Sequence, residues 1–369
     1  MNRHPVMLMV RELGLGGCER DVTKVALGLD KSVFEPHVGS FFEGGFREQE
    51  LRAGNIPVAC FPLRSYRSVS TLNCALRLLQ YLRHNRVQLV HAFDGPTALF
   101  SIPVARAAGI PVAIASNLWF RDLVQKGQRH GLRIIDHMVD RIVVNSRAVE
   151  RHLVTEERVS PGLTYLCYNG VDRTTFYPGP KHLCDALKDA ELVIGAVCVL
   201  RPEKRIDLLI EAFARLQKLH PRIALLIVGS GAMEMHVKQQ AQALGVESNC
   251  VFVPAQKDVA PWMRAMDVFV LASSSESFPN TVLEAMACGC CVAASNVGGV
   301  PEVVLNGKTG LLFQSGDVND LTRVLSMATA DKGLRERLGS AACQHVRDGF
   351  SIETAVSRLQ VLYSSLLDA

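Results

Sequence analysis

Two carboxylates, Glu276 and Glu284, stand with seven residues between them, and the segment joining them holds more chemistry than any other part of the chain. Ser277, Phe278, Pro279 and Asn280 read as a polar turn, and Thr281 opens a helix that carries the second acid. A carboxylate accepts hydrogen bonds from two neighbouring hydroxyls of a ribose or a hexose. A helix start presents unpaired N–H groups and the positive end of a dipole, which suits phosphate. The segment therefore offers two acceptors for polyols and a diphosphate cradle between them, the outline of a nucleotide-sugar site. The plain alternative is a solvated loop acid and a helix surface charge. The turn leading straight into a helix start favours the first reading.

Cations that could serve such a site follow the apolar run at 193–199: Arg201, Lys204 and Arg205. Placed just past a strand end, they meet the charge that grows on a departing diphosphate. A basic first turn on a surface helix is a credible account of Arg205 and a weaker one of Lys204. Gly14, Gly16 and Gly17 form a turn after the first apolar run that lets backbone approach a phosphate or an acceptor. This turn lacks the third glycine of a dinucleotide fingerprint. Gly229 and Gly231 form a similar turn later in the chain, and Gly298 and Gly299 lie close to Glu302. His91 and Asp94 end another apolar run and are the candidates to act on the reacting groups. Against this, His91 can be a hydrogen-bonded strand-end histidine, and Asp94 can cap the helix that begins near Pro96.

Strands and helices must place these groups. Apolar runs at 6–10, 37–41, 58–61, 87–91, 112–115, 141–144 and 164–168 alternate with helical periodicity at 19–29, 71–85, 96–108 and 146–154. A second series of runs follows at 193–199, 224–228, 251–253, 268–271, 291–294 and 311–313. Continuous apolar strands imply burial on both faces and hence parallel sheets. The break between the series, 169–180, is rich in Gly, Pro, Asp and Thr. With 369 residues the chain exceeds one ordinary core, so two doubly wound α/β domains follow. Ligands sit beyond the carboxyl ends of such strands, so two facing domains make a cleft.

A net charge of +4 is too small to argue for nucleic acid. The apolar run at the start stops at Arg11 and leads into the glycine turn, so it reads as a buried strand rather than a signal peptide. Eleven cysteines are scattered, and Cys288, Cys290 and Cys291 lack a second pair at zinc spacing. Reduced thiols in a cytoplasmic protein are the expectation.

The segment from Glu276 through Glu284 to Glu302 resembles the donor-site signature of family 4 retaining glycosyltransferases with the GT-B fold. The glycine turn before Glu19 agrees in order and spacing. So do Asn145 and Ser146, then Tyr168 to Asp172 with Phe176 and Pro178, and the stretch from Leu200 to Phe213. The resemblance spans nearly the whole chain. It implies an acceptor-binding Rossmann-like domain at 1–178, a donor-binding domain at 179–349, and a last helix, within 350–369, crossing back onto the first. It implies that Glu276 contacts donor-sugar hydroxyls, that Glu284 contacts the nucleotide ribose, and that Gly229 and Gly231 lie beside the base. Two positions depart from the pattern: Val199 stands where the family usually has arginine, and Phe93 where it often has the second histidine of a His-x-His.

The implied activity is transfer of a hexose, with retention and without a metal, from a UDP- or GDP-sugar to a saccharide or lipid-linked acceptor. Cell-surface polysaccharide or glycolipid assembly is the usual setting. No further cofactor is implied. Basic stretches holding Arg64, Tyr66, Arg67, Arg77, Arg83 and Arg86, and Trp119, Arg121, Lys126, Arg129, His130 and Arg133, suit peripheral contact with an anionic membrane. Taken singly, each stretch suits a solvated helix face better. The rival readings are an epimerase or phosphorylase on the same fold and a catalytically silent nucleotide-sugar-binding protein.

Overall fold

The computed structural model describes residues 3–14, 16–63, 69–181 and 184–369. Leu15 of the glycine turn, and Arg64, Tyr66 and Arg67 of the first basic stretch, lie outside the described residues.

In the first half, β1 (His4–Val10), α1 (Gly17–Gly28), β2 (Phe34–Ser40), α2 (Phe46–Ala53), β3 (Val58–Cys60) and α3 (Val69–His84) follow in order. Then come β4 (Leu89–Ala92), α4 (Gly95–Ala108), β5 (Val112–Asn117), α5 (Lys126–Asp136), β6 (Arg141–Val144), α6 (Arg147–Thr155) and β7 (Thr164–Leu166). The second half holds β8 (Leu192–Val197), α7 (Ile206–Gln217), β9 (Ile223–Val228), α8 (Glu234–Ala243), β10 (Cys250–Val253), α9 (Ala260–Ala265) and β11 (Val268–Leu271). It ends with α10 (Asn280–Ala287), β12 (Cys291–Ser295), α11 (Val300–Val303), β13 (Leu311–Phe313), α12 (Val318–Ala330) and α13 (Lys332–Gly349), before the last helix α14 (Ile352–Leu367).

Both sheets are parallel, with strand orders β3-β2-β1-β4-β5-β6-β7 and β10-β9-β8-β11-β12-β13. The order reverses between β1 and β4 in one and between β8 and β11 in the other. At such a reversal the following loops part and leave a crevice at the strand ends. The central strands are buried on both faces, which is why their sequences are continuous rather than alternating.

The chain divides into a unit of Met1–Asn169 with Ile352–Ala369 and a unit of Gly170–Ser351. The sequence reading placed the first boundary later, at 178. Residues just past Asn169 already belong to the second unit, because the Val171 N–H bonds the Phe350 carbonyl at 2.9 Å and Val171 bridges to Ser351. The last helix packs on the first unit, where Val356, Leu359, Leu362 and Tyr363 join the core that holds Val6, Leu8 and Phe34.

Candidate active site

In the second unit the loops after β8 and β11 meet because these strands are hydrogen-bonded neighbours, with Val268 opposite Ile194 and Phe269 opposite Gly195. The β8 strand ends two residues before Val199, so Val199 lies in the loop, half exposed, instead of closing the strand. The loop makes a single 3-10 turn over Pro202–Lys204, and Arg205 then takes a left-handed φ of 49° to enter α7. Its neighbour after β11 carries Ser273 to Glu276. The Ser274 N–H donates to the Glu203 carbonyl at 2.8 Å, clasping the two loops together.

Across this clasp Lys204 Nζ donates to Glu276 Oε1 at 2.6 Å. Ser273 Oγ donates to the same oxygen at 2.7 Å. The pair is mostly buried, with the side chains 24% and 12% exposed, so its attraction is screened less than that of a surface pair. The Glu276 carbonyl in turn accepts from the Gly299 N–H at 3.2 Å, and Gly298 turns there with φ 49°. Helix α10 begins at Asn280, and Pro279 at its cap position supplies no side-chain hydrogen bond. Phe278 is buried and packs near Phe350 with ring centroids 6.0 Å apart, anchoring the turn that carries Ser277 and leads to Thr281. Glu284 is buried on α10, which removes the surface-charge alternative.

The other cations are placed differently. Arg201 is well exposed and, among the described residues, its side chain reaches Glu203 at 3.9 Å. Arg205 is bound through Nε and Nη2 to Asp207 on the first turn of its own helix, at 3.1 and 3.0 Å, and these hydrogen bonds raise its pKa. The first-turn reading of Arg205 therefore describes its arrangement here. Gly229 and Gly231 serve the packing of the chain itself. Gly229 has φ 147°, and a Cβ there would collide with the Cys198 carbonyl; one on Gly231 would collide with that of Leu200. These glycines let the turn after β9 close on the loop after β8.

In the first unit the glycine turn after β1 and the end of β4 are neighbours for the same topological reason. Gly16 caps α1 without a side-chain bond, and the helix starts at Gly17. The Glu19 carboxylate folds back over Gly16, where a Cβ would strike it, and burial pushes its pKa up.

His91 corrects the catalytic reading. It is fully buried, with Nδ1 2.6 Å from the Tyr363 hydroxyl and Nε2 2.8 Å from Ser116 Oγ. Burial drives its pKa down to about 3, so the ring is neutral. With both nitrogens engaged and no exposed surface, it fastens α14 to the sheet. Phe93 is also buried, its ring 4.2 Å from that of His91. Asp94 is likewise committed to the fold: Oδ1 accepts from the Thr97 N–H at 2.8 Å in a capping box, and Oδ2 from the Arg11 N–H at 2.7 Å. Burial raises its pKa. The cap reading of Asp94 is the one its contacts express.

The second basic stretch is largely consumed by acids. Arg121 is buried and holds Asp136 with two hydrogen bonds of 2.6 and 2.7 Å. Arg129 and Arg133 both donate to the carboxylate of Glu157, whose side chain is fully buried. Pairing inside the unit thus removes three of the cations that suggested a membrane face. No helix among the described residues is long and apolar enough to cross a membrane.

Sequence reasoning missed Ser273. Its signal was present as a serine three residues before Glu276, but nothing local showed that its hydroxyl points at the acid.

Profiles of known protein families match both units. The profile described as Glycosyltransferase Family 4 matches residues 15–175, and the one described as Glycosyl transferases group 1 matches residues 185–345. The D-inositol 3-phosphate glycosyltransferase of Kribbella flavida is 33% identical over 238 residues, which are 61% of this chain and 56% of that protein. The chain thus spans little more than half of that relative's length. The N-acetyl-alpha-D-glucosaminyl L-malate synthase of Bacillus anthracis is 26% identical over 304 residues, 80% of this chain and 79% of that protein. Among solved structures, Anabaena HepE in complex with UDP and glucose superposes with a TM-score of 0.86 at 21% identity, covering 98% of this chain and 99% of that one. Sucrose-phosphate synthase from Thermosynechococcus elongatus gives 0.82 at 20% identity, covering 99% of this chain and 100% of that one. The chain belongs to the family 4 glycosyltransferases and has their two-unit, Rossmann-like GT-B fold.

Proposed function

We propose that this protein transfers a hexose from a nucleoside-diphosphate sugar, a UDP- or GDP-sugar, to the hydroxyl of a saccharide or lipid-linked acceptor, with retention of anomeric configuration. The second unit binds the donor and the first the acceptor. The observation that carries the reading is the joining of Lys204 and Glu276 at the β8/β11 reversal, beside the start of α10. Glu276 accepts from hydroxyls of the donor sugar, and Glu284 serves the ribose. Lys204 and the exposed Arg201 meet the charge on the diphosphate without calling on a metal. The names of the relatives, and the UDP and glucose held by HepE, support this class of donor and acceptor.

In the reaction the bond between the acceptor oxygen and the anomeric carbon forms as the bond from that carbon to the β-phosphate oxygen breaks. The diphosphate leaves with the electron pair, and the acceptor proton passes to a departing phosphate oxygen. Attack and departure on one face give retention. With His91 and Asp94 committed to the fold, no side chain of the first unit is assigned as the base.

Replacing Glu276 by Ala should abolish transfer while the protein stays folded. Near-normal turnover in that variant would sink the donor-site assignment. A second reading, a silent nucleotide-sugar-binding protein, is favoured by the commitment of His91 and Asp94 to the fold and by Val199 in place of an arginine. Donor hydrolysis or transfer by the purified wild type excludes it.

A further inference from the structure

We infer that Ser273 is a positioning residue that decides which oxygen of Glu276 meets the donor sugar, an inference that rests on the donor-site reading above. Three serines stand at the carboxyl ends of three adjacent strands, and their hydrogen bonds converge on one peptide. Ser295, the last residue of β12, donates its hydroxyl to the Ser273 carbonyl at 2.6 Å, and Ser315, just past β13, donates to the same carbonyl at 3.4 Å. Ser273 and Ser295 are fully buried. With its carbonyl held from two strands, Ser273 aims its own hydroxyl at Glu276 Oε1, at 2.7 Å.

Lys204 holds that same oxygen at 2.6 Å, so both grips fall on Oε1. No hydrogen bond to Oε2 is made among the described residues, which leaves it as the acceptor for a ligand hydroxyl. The terminal torsion of a glutamate is broad and nearly two-fold, so a carboxylate exchanges its oxygens readily unless something fixes the plane. A lysine ammonium is a point charge on a flexible stem and does not fix it. A hydroxyl fastened to the sheet does. The register of β11, β12 and β13 is thereby passed to the carboxylate that touches the sugar.

The test compares wild type, Ser273→Ala, Ser295→Ala and Glu276→Ala. Turnover is measured with UDP-glucose and GDP-mannose, and binding with UDP and GDP by calorimetry. For Ser273→Ala the expected result is a kcat lowered about ten- to a hundredfold, because misplacing one reacting contact costs that much. UDP or GDP affinity should stay within about twofold of wild type, because neither nucleotide carries the sugar. Ser295→Ala should lower kcat in the same direction by a smaller factor.

An unchanged kcat in Ser273→Ala overturns the inference. So does loss of nucleotide affinity in step with kcat, which would make the serine a general prop. If Ser273→Ala does not fold, Ser295→Ala decides by the same two criteria. If Glu276→Ala keeps its turnover, or the wild type neither binds UDP or GDP nor turns over either donor, the donor-site reading itself fails and this inference with it. A dead Glu276→Ala beside a fully active Ser273→Ala sinks the positioning role alone.

Discussion

Substituting His91 by Gln should remove a pH dependence from the stability of the first unit. In the folded chain the ring is fully buried between Ser116 and Tyr363, and its pKa is driven to about 3 from an ordinary 6.5. Between these values the unfolded chain binds a proton that the folded chain refuses, so stability rises with pH across that window. The contribution is complete above pH 6.5 and is lost progressively as the pH falls towards 3. Each pH unit below 6.5 costs about 1.4 kcal/mol, so moving from pH 7.5 to pH 5 removes about 2 kcal/mol. A glutamine keeps a donor and an acceptor but does not titrate. Burial also lowers the pKa values of His37 and His345, but they are common to both proteins and cancel.

The chain has two tryptophans, Trp119 in the first unit and Trp262 in the second. In a Trp262→Phe background, urea unfolding followed by Trp119 fluorescence reports on the first unit alone. The stability lost between pH 7.5 and pH 5 should be smaller in His91→Gln by about 2 kcal/mol. Equal losses in the two proteins would refute the argument. So would an NMR titration in the folded protein showing the His91 ring protonating near pH 6.5.

Two further outcomes follow from the proposed donor site and its supporting turn. Lys204→Ala should weaken UDP or GDP binding by about ten- to a hundredfold in calorimetry, the worth of a charge-assisted hydrogen bond. Unchanged affinity would take the diphosphate away from Lys204. Gly229→Ala should destabilise the second unit by about 3 kcal/mol in urea unfolding, because its φ of 147° is strained for alanine and its Cβ would strike the Cys198 carbonyl. A loss below about 0.5 kcal/mol would show that the turn relaxes at little cost.

The legible part of the fold is the part written in short, continuous apolar runs. Strands such as Arg141–Val144, Val268–Leu271 and Leu311–Phe313 fall on the expected residues, because a parallel strand buried on both faces needs an unbroken apolar stretch. In the first unit two helices escaped. In Phe46–Ala53 only Leu51 is buried, so no apolar stripe marks it. Lys126–Asp136 contains Gly127 and Gly131 and spends its arginines on an acid from beyond the helix, so its residues read as a basic surface. The first domain boundary was expected late because Phe176 and Pro178 look like the end of a motif, whereas the chain changes allegiance where Val171 bonds Phe350.

The segment proposed to bind the donor stands out in the sequence because its pattern is local: an acid, a turn, a helix start and a second acid lie within one short run of chain. Sequence by itself therefore determined two parallel α/β units and the spacing of Glu276 and Glu284 along one segment, with the cations nearest to them along the chain. Only the tertiary structure decided what each group meets. Lys204 and Glu276 are 72 residues apart and share one oxygen because β8 and β11 are neighbours at the point where strand order reverses. His91 and Tyr363 are 272 residues apart, and their contact converts a candidate catalyst into a buried clasp. Spacing along the chain records which groups travel together on one element. Which of them meet across elements depends on strand order and burial, and a local pattern carries no trace of either.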